Sequence, residues 1–147
     1  SLSIIEGGIP RFSRDIHIAG RNFTQTIADI LSLDFAAAEK LKINPSKEAL
    51  DKIKTAIEPV FTNLANEIRT SFDYYESQST VSVERIFLSG GGAKFFAFKE
   101  MLSAALGIEA EYWDPFKKIS LPSGVDPAKL KEMSAQLAVA VGLALRQ

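Results

Sequence analysis

The chain of 147 residues is 46% hydrophobic and 24% charged, which fits one or two small globular lobes with a real core and excludes a disordered or fibrous protein. Lysine and arginine number 17 against 18 acidic residues, a net charge of -1, so the electrostatic footprint of a nucleic-acid binder is missing and nucleic acid is not an expected partner. There is no cysteine, hence no disulfide framework and no thiolate metal site, and the longest strongly apolar run, Leu137 to Leu145, falls far below the roughly 20 residues that span a bilayer.

Ser1 opens directly on the strand-like Leu2 to Ile5 without an initiator methionine, so the chain is expected to be a piece of something longer. "LSIIEGGIPRFSRDIHI" (2–18) predicts a β-hairpin around Gly7-Gly8, with Pro10 just beyond the turn. A helix follows, capped by the short side-chain oxygen of Asn22 or Thr24, with Phe23, Ile27, Ile30 and Leu31 at helical spacing. A second short helix runs from an Asp34 cap to Lys42. After Asn44-Pro45-Ser46, apolar residues from Leu50 through Ile57, Leu64 and Ile68 to Tyr75 step by three or four, predicting a long helix from Ser46 to about Ser77. Pro59 lies inside that stripe, and a kink or break is expected near Glu58. The remainder reads as strand 85–89, helix 93–106 ended by Gly107, strand 108–113, an irregular stretch to Pro127 and a final helix 128–146. Hairpin, helices, strand, helix, strand, helix is an α/β order with a mixed sheet.

Two stretches carry chemistry. In "RIFLSGGGAKFFAF" (85–98) three glycines leave a buried strand and open a helix. They match neither G-x-x-x-x-G-K-[ST] nor G-x-G-x-x-G, and the plain reading is a tight turn needing positive φ. Placement favours a ligand, because free N–H groups and the positive end of a helix dipole attract an anion such as a phosphate, and ligands of open α/β sheets gather at strand ends. In "AAAEKLK" (36–42) Glu39 and Lys42 are neighbours on one helical face, and the plain reading there is a solvated ion pair.

Taken in order, "FSRDIHIAGRNFTQTIADIL", "AAEKLK", "IEPVFTNLANEIRTSFDYYESQ", "FLSGGGAKFFAFKEMLSAALGIEAEYWDPF" and "LAVAVGLALR" resemble the PilM family of type IV pilus assembly proteins, within the actin-like ATPase superfamily, from about Pro10 to Arg146. The resemblance implies a ribonuclease-H-like, actin-like lobe with a mixed sheet plus a helical subdomain, truncated at its N-terminus. Residues 1–33 and 83–127 would form the lobe core, 34–82 the helical subdomain, and 128–147 a closing helix that packs on the first lobe of the full-length protein. The strand before Ser1 would be the central one, between Leu2–Ile5 and Ile86–Leu88. In its absence those two are expected to pair directly or to exchange strands with a second copy, since buried unpaired edges are unfavourable.

The resemblance further implies ATP as ligand, with magnesium in the full-length protein. Gly90, Gly91 and Gly92 would let the nucleotide approach near ribose and α-phosphate, Lys94 would lie along the adenine, and Glu39 and Lys42 would face the ribose hydroxyls and the base. Alanine at Glu39 or Lys42 is expected to weaken nucleotide binding and leave the fold intact. The phosphate-binding hairpins and magnesium-ordering carboxylates are expected before Ser1, so this piece should be inactive and the full-length protein a weak ATPase at most. Ala19-Gly20 stands where the family has Gly-Gly and reads as packing only. The implied partner is the cytoplasmic N-terminal tail of a PilN-like inner-membrane protein, with self-association besides, in pilus biogenesis and twitching motility. The implied location is cytoplasmic and peripheral to the inner membrane through partners. The other readings are a sugar or acetate kinase lobe of the same superfamily and an interaction lobe with a degenerate nucleotide site. His17, Arg14-Asp15, the phenylalanines 95, 96 and 98, Trp113 against a helix, and Gly142 read as structural.

Overall fold

A computed structural model describes residues 1–120, 124 and 126–146. Strands β1 (Leu2–Glu6) and β2 (Ile9–Arg14) form the expected antiparallel hairpin. Gly7 and Gly8 take φ of 58° and 80°, the pair of left-handed conformations that a two-residue turn between twisted strands requires. The register slips between Ile4, opposite Phe12, and Ile5, opposite Pro10, where proline lacks the N–H to continue the ladder.

Helix α1 (Gly20–Leu31) starts earlier than the capping argument predicts. Its N-cap is Ala19, and Asn22 sits at the third helical position, where its Oδ1 accepts from the Ala19 N–H at 2.9 Å. Helix α2 (Phe35–Ile43) begins as expected at Asp34, whose carboxylate accepts from the Ala37 N–H at 2.8 Å. Helix α3 (Leu50–Glu76) starts four residues later than Ser46 and runs through Pro59 without a break. Pro59 is exposed, while Ile57 and Phe61 on either side are buried, so core packing holds the turns that proline deprives of one hydrogen bond.

Strand β3 (Ile86–Leu88) leads to the glycines, but no α-helix begins at Ala93. Gly91–Lys94 form a single 3-10 turn, Phe95 is extended, Ala97 is left-handed at φ 58°, and helix α4 (Phe98–Leu106) begins only then. Glycines are poor helix formers, and the detour lets Phe95, 3% exposed, turn into the core against Phe23 at 4.8 Å between ring centroids. Gly107 closes α4 in the expected left-handed cap, φ 70°. Strand β4 (Ala110–Tyr112) pairs parallel with β3, and helix α5 (Pro127–Ala144) follows from an Asp126 cap. Residues 121–123, 125 and 147 of the predicted irregular stretch and terminus lie outside the described residues.

The class is mixed α and β, yet among the described residues the strands form two separate two-stranded sheets and not one mixed sheet. Direct pairing of β1 with β3 is therefore overturned. Ile4 and Leu88 are buried in the same apolar cluster, but β1 takes its ladder bonds from β2 and β3 from β4, and a three-residue β3 offers few further bonds to draw β1 in. That cluster is centred on Phe23 and Ile27 of α1, Ile53 and Ile57 of α3 and Leu102 of α4, each nearly dry and worth about 1.5–3 kcal/mol of burial. Arg14 locks the hairpin onto α3 through Glu67 and the buried Ser71. Phe95 and Phe98 are core residues as expected, whereas Phe96 is only half-buried, with the Lys54 ammonium 5.8 Å from its ring centroid, and His17 lies outside any strand, exposed. Trp113 packs edge-on against Phe87 of β3, leaving both rings half-exposed. In α5, Ala135 is buried, whereas Val139, Leu143 and the C-cap Leu145 are exposed, and a Cβ built on Gly142 meets no other element of the described residues within 4 Å.

Candidate functional site

A cleft of about 570 Å³ opens where the start of α1, the face of α2 and the glycine turn converge, lined by Ala19, Gly20, Arg21, Phe35, Glu39, Lys42, Gly91 and Gly92. Three local devices shape it. Gly90 has φ 87° and ψ 163°, a backbone region essentially confined to glycine, and its N–H donates to the Ala135 carbonyl of α5 at 2.6 Å. The next turn is pinned by Tyr112, whose hydroxyl donates to the Ala93 carbonyl at 3.0 Å; burial raises that phenol's pKa, with the Glu100 charge adding to the shift. Lastly, Gly20 and Gly92 meet backbone to backbone: a Cβ on Gly20 would sit 3.4 Å from both the Gly92 Cα and the Lys42 Nζ. The cleft floor is thus free of side chains from two directions, which suits a ligand that must lie close to main chain.

Inside this frame Glu39 and Lys42 form an ion pair at 2.7 Å, though not the solvated one that their spacing alone suggests. Lys42 is 5% exposed, and its ammonium donates to the Gly20 carbonyl at 3.1 Å, to Thr24 Oγ1 at 2.8 Å and to Glu39 Oε2. Those three acceptors use its three protons. Alanine at Lys42 is therefore expected to disturb the fold as well as the cleft. Burial alone would raise the Glu39 carboxyl, but hydrogen bonds from Lys42 and Thr24, with the Lys42 charge, outweigh it and hold the group below its ordinary value of 4.5.

Of the six residues assigned by resemblance, Glu39, Lys42, Gly91 and Gly92 share the cleft, while Gly90 and Lys94 are not among its lining residues. Ala19 and Gly20, read as packing only, are lining residues, which corrects that reading. Sequence reasoning also missed Arg21, Phe35 and the buried Thr24. Arg21 had a legible signal: a cation in the first turn opposes the helix dipole, and such a local conflict marks a residue placed for something other than helix stability. It is exposed, with no hydrogen bond or ion pair among the described residues. Phe35, 43% exposed, offers an aromatic face. Among the described residues no three metal-ligating side chains cluster, and no helix is long and apolar enough to cross a membrane.

Comparison with known proteins agrees with this architecture. A family model described as "Type IV pilus assembly protein PilM" matches residues 1–147. A solved structure titled "PilM-PilN type IV pilus biogenesis complex" is similar at TM-score 0.84 and 32% identity; the match covers 98% of this chain and 41% of that one. This chain therefore corresponds to less than half the length of its structural relative. No curated protein sequence matches it. With the family model spanning every residue, the chain belongs to the PilM family of type IV pilus assembly proteins.

Proposed function

We propose that this chain is the second lobe of an actin-like, ATP-binding assembly protein that works on the cytoplasmic side of the type IV pilus inner-membrane platform. The reading rests above all on one observation: Glu39 and the Gly91-Gly92 turn, on elements far apart in sequence, open on the same cleft. In this reading the sugar of the nucleotide lies against Glu39, its base beside Phe35, and its α-phosphate near the Gly91 and Gly92 backbone, with Arg21 supplying the cation. The residues present fit such a ligand, since Gly20, Gly91 and Gly92 all line the cleft and bring main chain without side chains to its wall. Magnesium would accompany the phosphates, and this chain offers it no carboxylate cluster among the described residues. ATP supplies charge and a reason for two lobes to close; these residues bind and orient it, and no hydrolytic role falls to them.

The similar structure is titled as a complex with PilN. A PilN-like cytoplasmic tail is accordingly the proposed partner of the intact protein, and attachment to the membrane would run through it. The test is a pair of measurements on the intact protein. ATP should bind saturably, and a peptide copying the PilN-like tail should co-purify with it. Failure of the first removes the nucleotide reading, and failure of the second removes the docking reading.

A further inference from the structure

Thr24 is 0% exposed and lies one helical turn past Gly20, inside α1 and not at its cap as the sequence allowed. Its hydroxyl accepts from Lys42 Nζ at 2.8 Å and has one proton to give, with the Gly20 carbonyl at 3.0 Å and the Glu39 Oε2 carboxylate oxygen as neighbours. The Gly20 carbonyl already receives a Lys42 proton, and a charged acceptor makes the stronger bond, so the Thr24 proton belongs to Glu39. Both hydrogen bonds to Glu39 then fall on Oε2, and Oε1 takes none among the described residues. Lys42 meanwhile has no proton left for a ligand.

We infer that Thr24 is a positioning residue for ligand recognition: together with Lys42 it ties down Oε2 of Glu39, so that Oε1 alone is presented to a hydroxyl donor in the cleft. This rests on the nucleotide reading above and deepens it. Lys42 and Thr24 act through Glu39 and do not touch the ligand, and the discriminating contact is a ligand hydroxyl donating to one fixed carboxylate oxygen. An untied carboxylate would rotate between rotamers and solvent, losing the preference for a ligand that carries the hydroxyl.

The experiment compares ATP with 2′,3′-dideoxy-ATP by calorimetry on the intact protein, as wild type, Thr24→Val and Thr24→Ser. Wild type should prefer ATP by about tenfold or more, the worth of a hydrogen bond to a charged group. Thr24→Val, which keeps the shape and loses the hydroxyl, should bring the two ligands within about twofold of each other, and Thr24→Ser should restore the preference. A purely structural Thr24 would lower both affinities together and leave their ratio unchanged, and that result overturns the inference. If Thr24→Val does not fold, Thr24→Ala is read by the same ratio. A wild type that binds neither ligand overturns the nucleotide reading itself, whereas a wild type that binds both equally overturns the inference and the placement of the sugar at Glu39 but leaves nucleotide binding standing.

Discussion

The Gly90 N–H donates to the Ala135 carbonyl across 2.6 Å, and Ser89 Oγ donates to the same oxygen at 3.1 Å, so the glycine turn is fastened to the middle of α5. Turn and helix are therefore one mechanical unit: whatever displaces the turn must displace α5 or break both bonds. The three glycines are not equivalent within this unit, and substitutions can separate their roles.

At Gly90, φ is 87°, where an L side chain is strained whatever the surrounding space, so Gly90→Ala should lower stability by about 1–3 kcal/mol in chemical denaturation. At Gly92 the backbone is ordinary and a Cβ would stand 3.5 Å from the Gly20 nitrogen, a normal contact. Gly92→Ala should change stability by less than about 1 kcal/mol and weaken nucleotide binding in the intact protein. Equal destabilisation by both would contradict this division of labour.

Lys42 joins α1 to α2 by three hydrogen bonds while 5% exposed. Lys42→Met should therefore cost about 1–3 kcal/mol of stability, because Glu39 and the Gly20 carbonyl lose a charged partner, partly offset by the water that reaches Glu39. A melting temperature unchanged from wild type would return the pair to the status of a solvated surface bridge.

The same network has a pH signature. The Glu39 carboxyl titrates below its ordinary value of 4.5 in the folded chain, so its stabilising contribution is complete above the unfolded value and lost as pH falls through the folded one. The difference in melting temperature between wild type and Glu39→Gln should be constant near pH 7 and should shrink below about pH 4.5. A difference that grows on acidification would have the wrong sign.

Pro59 interrupts the hydrogen-bond ladder of a 27-residue helix that stays continuous around it. Since the ring is exposed, Pro59→Ala should restore one backbone bond without disturbing the core and raise stability by about 1–3 kcal/mol, measured by thermal melting. A loss of stability would show that proline holds a bend that the packing of α3 needs.

Among the described residues, each of the four strands has a neighbour on one side only. Unpaired edges that flank a common core recruit other strands, so the chain produced by itself should self-associate by strand exchange, visible as a dimer or larger species in light scattering. A monomer at high concentration would exclude that exchange.

Apolar spacing made α1 and α3 legible in the sequence, as the Asp34 cap did α2, the Gly7-Gly8 turn the hairpin and Gly107 the end of α4, because each of those signals is local. The misses are places where tertiary contacts overrule local preference. Phe95 seeks the core beside Phe23 and breaks what would be a helix from Ala93, while Pro59 is tolerated because its flanking turns are buried. In the site, Glu39, Lys42, Gly91 and Gly92 were reachable through resemblance, but the burial of Lys42 was not, since an i,i+3 pair looks the same whether wet or dry. Thr24 was invisible for the same reason: its meaning lies in what α2 lays across it.

The central claim is that Glu39 and the glycine turn form one face of a nucleotide site, and calorimetric titration of the intact protein with ATP and magnesium tests it most directly. Saturable one-to-one binding that weakens by about tenfold in Glu39→Gln, with the melting temperature at pH 7 still showing a folded protein, is the predicted result. Absence of saturable binding, or an affinity unchanged in Glu39→Gln, would contradict it.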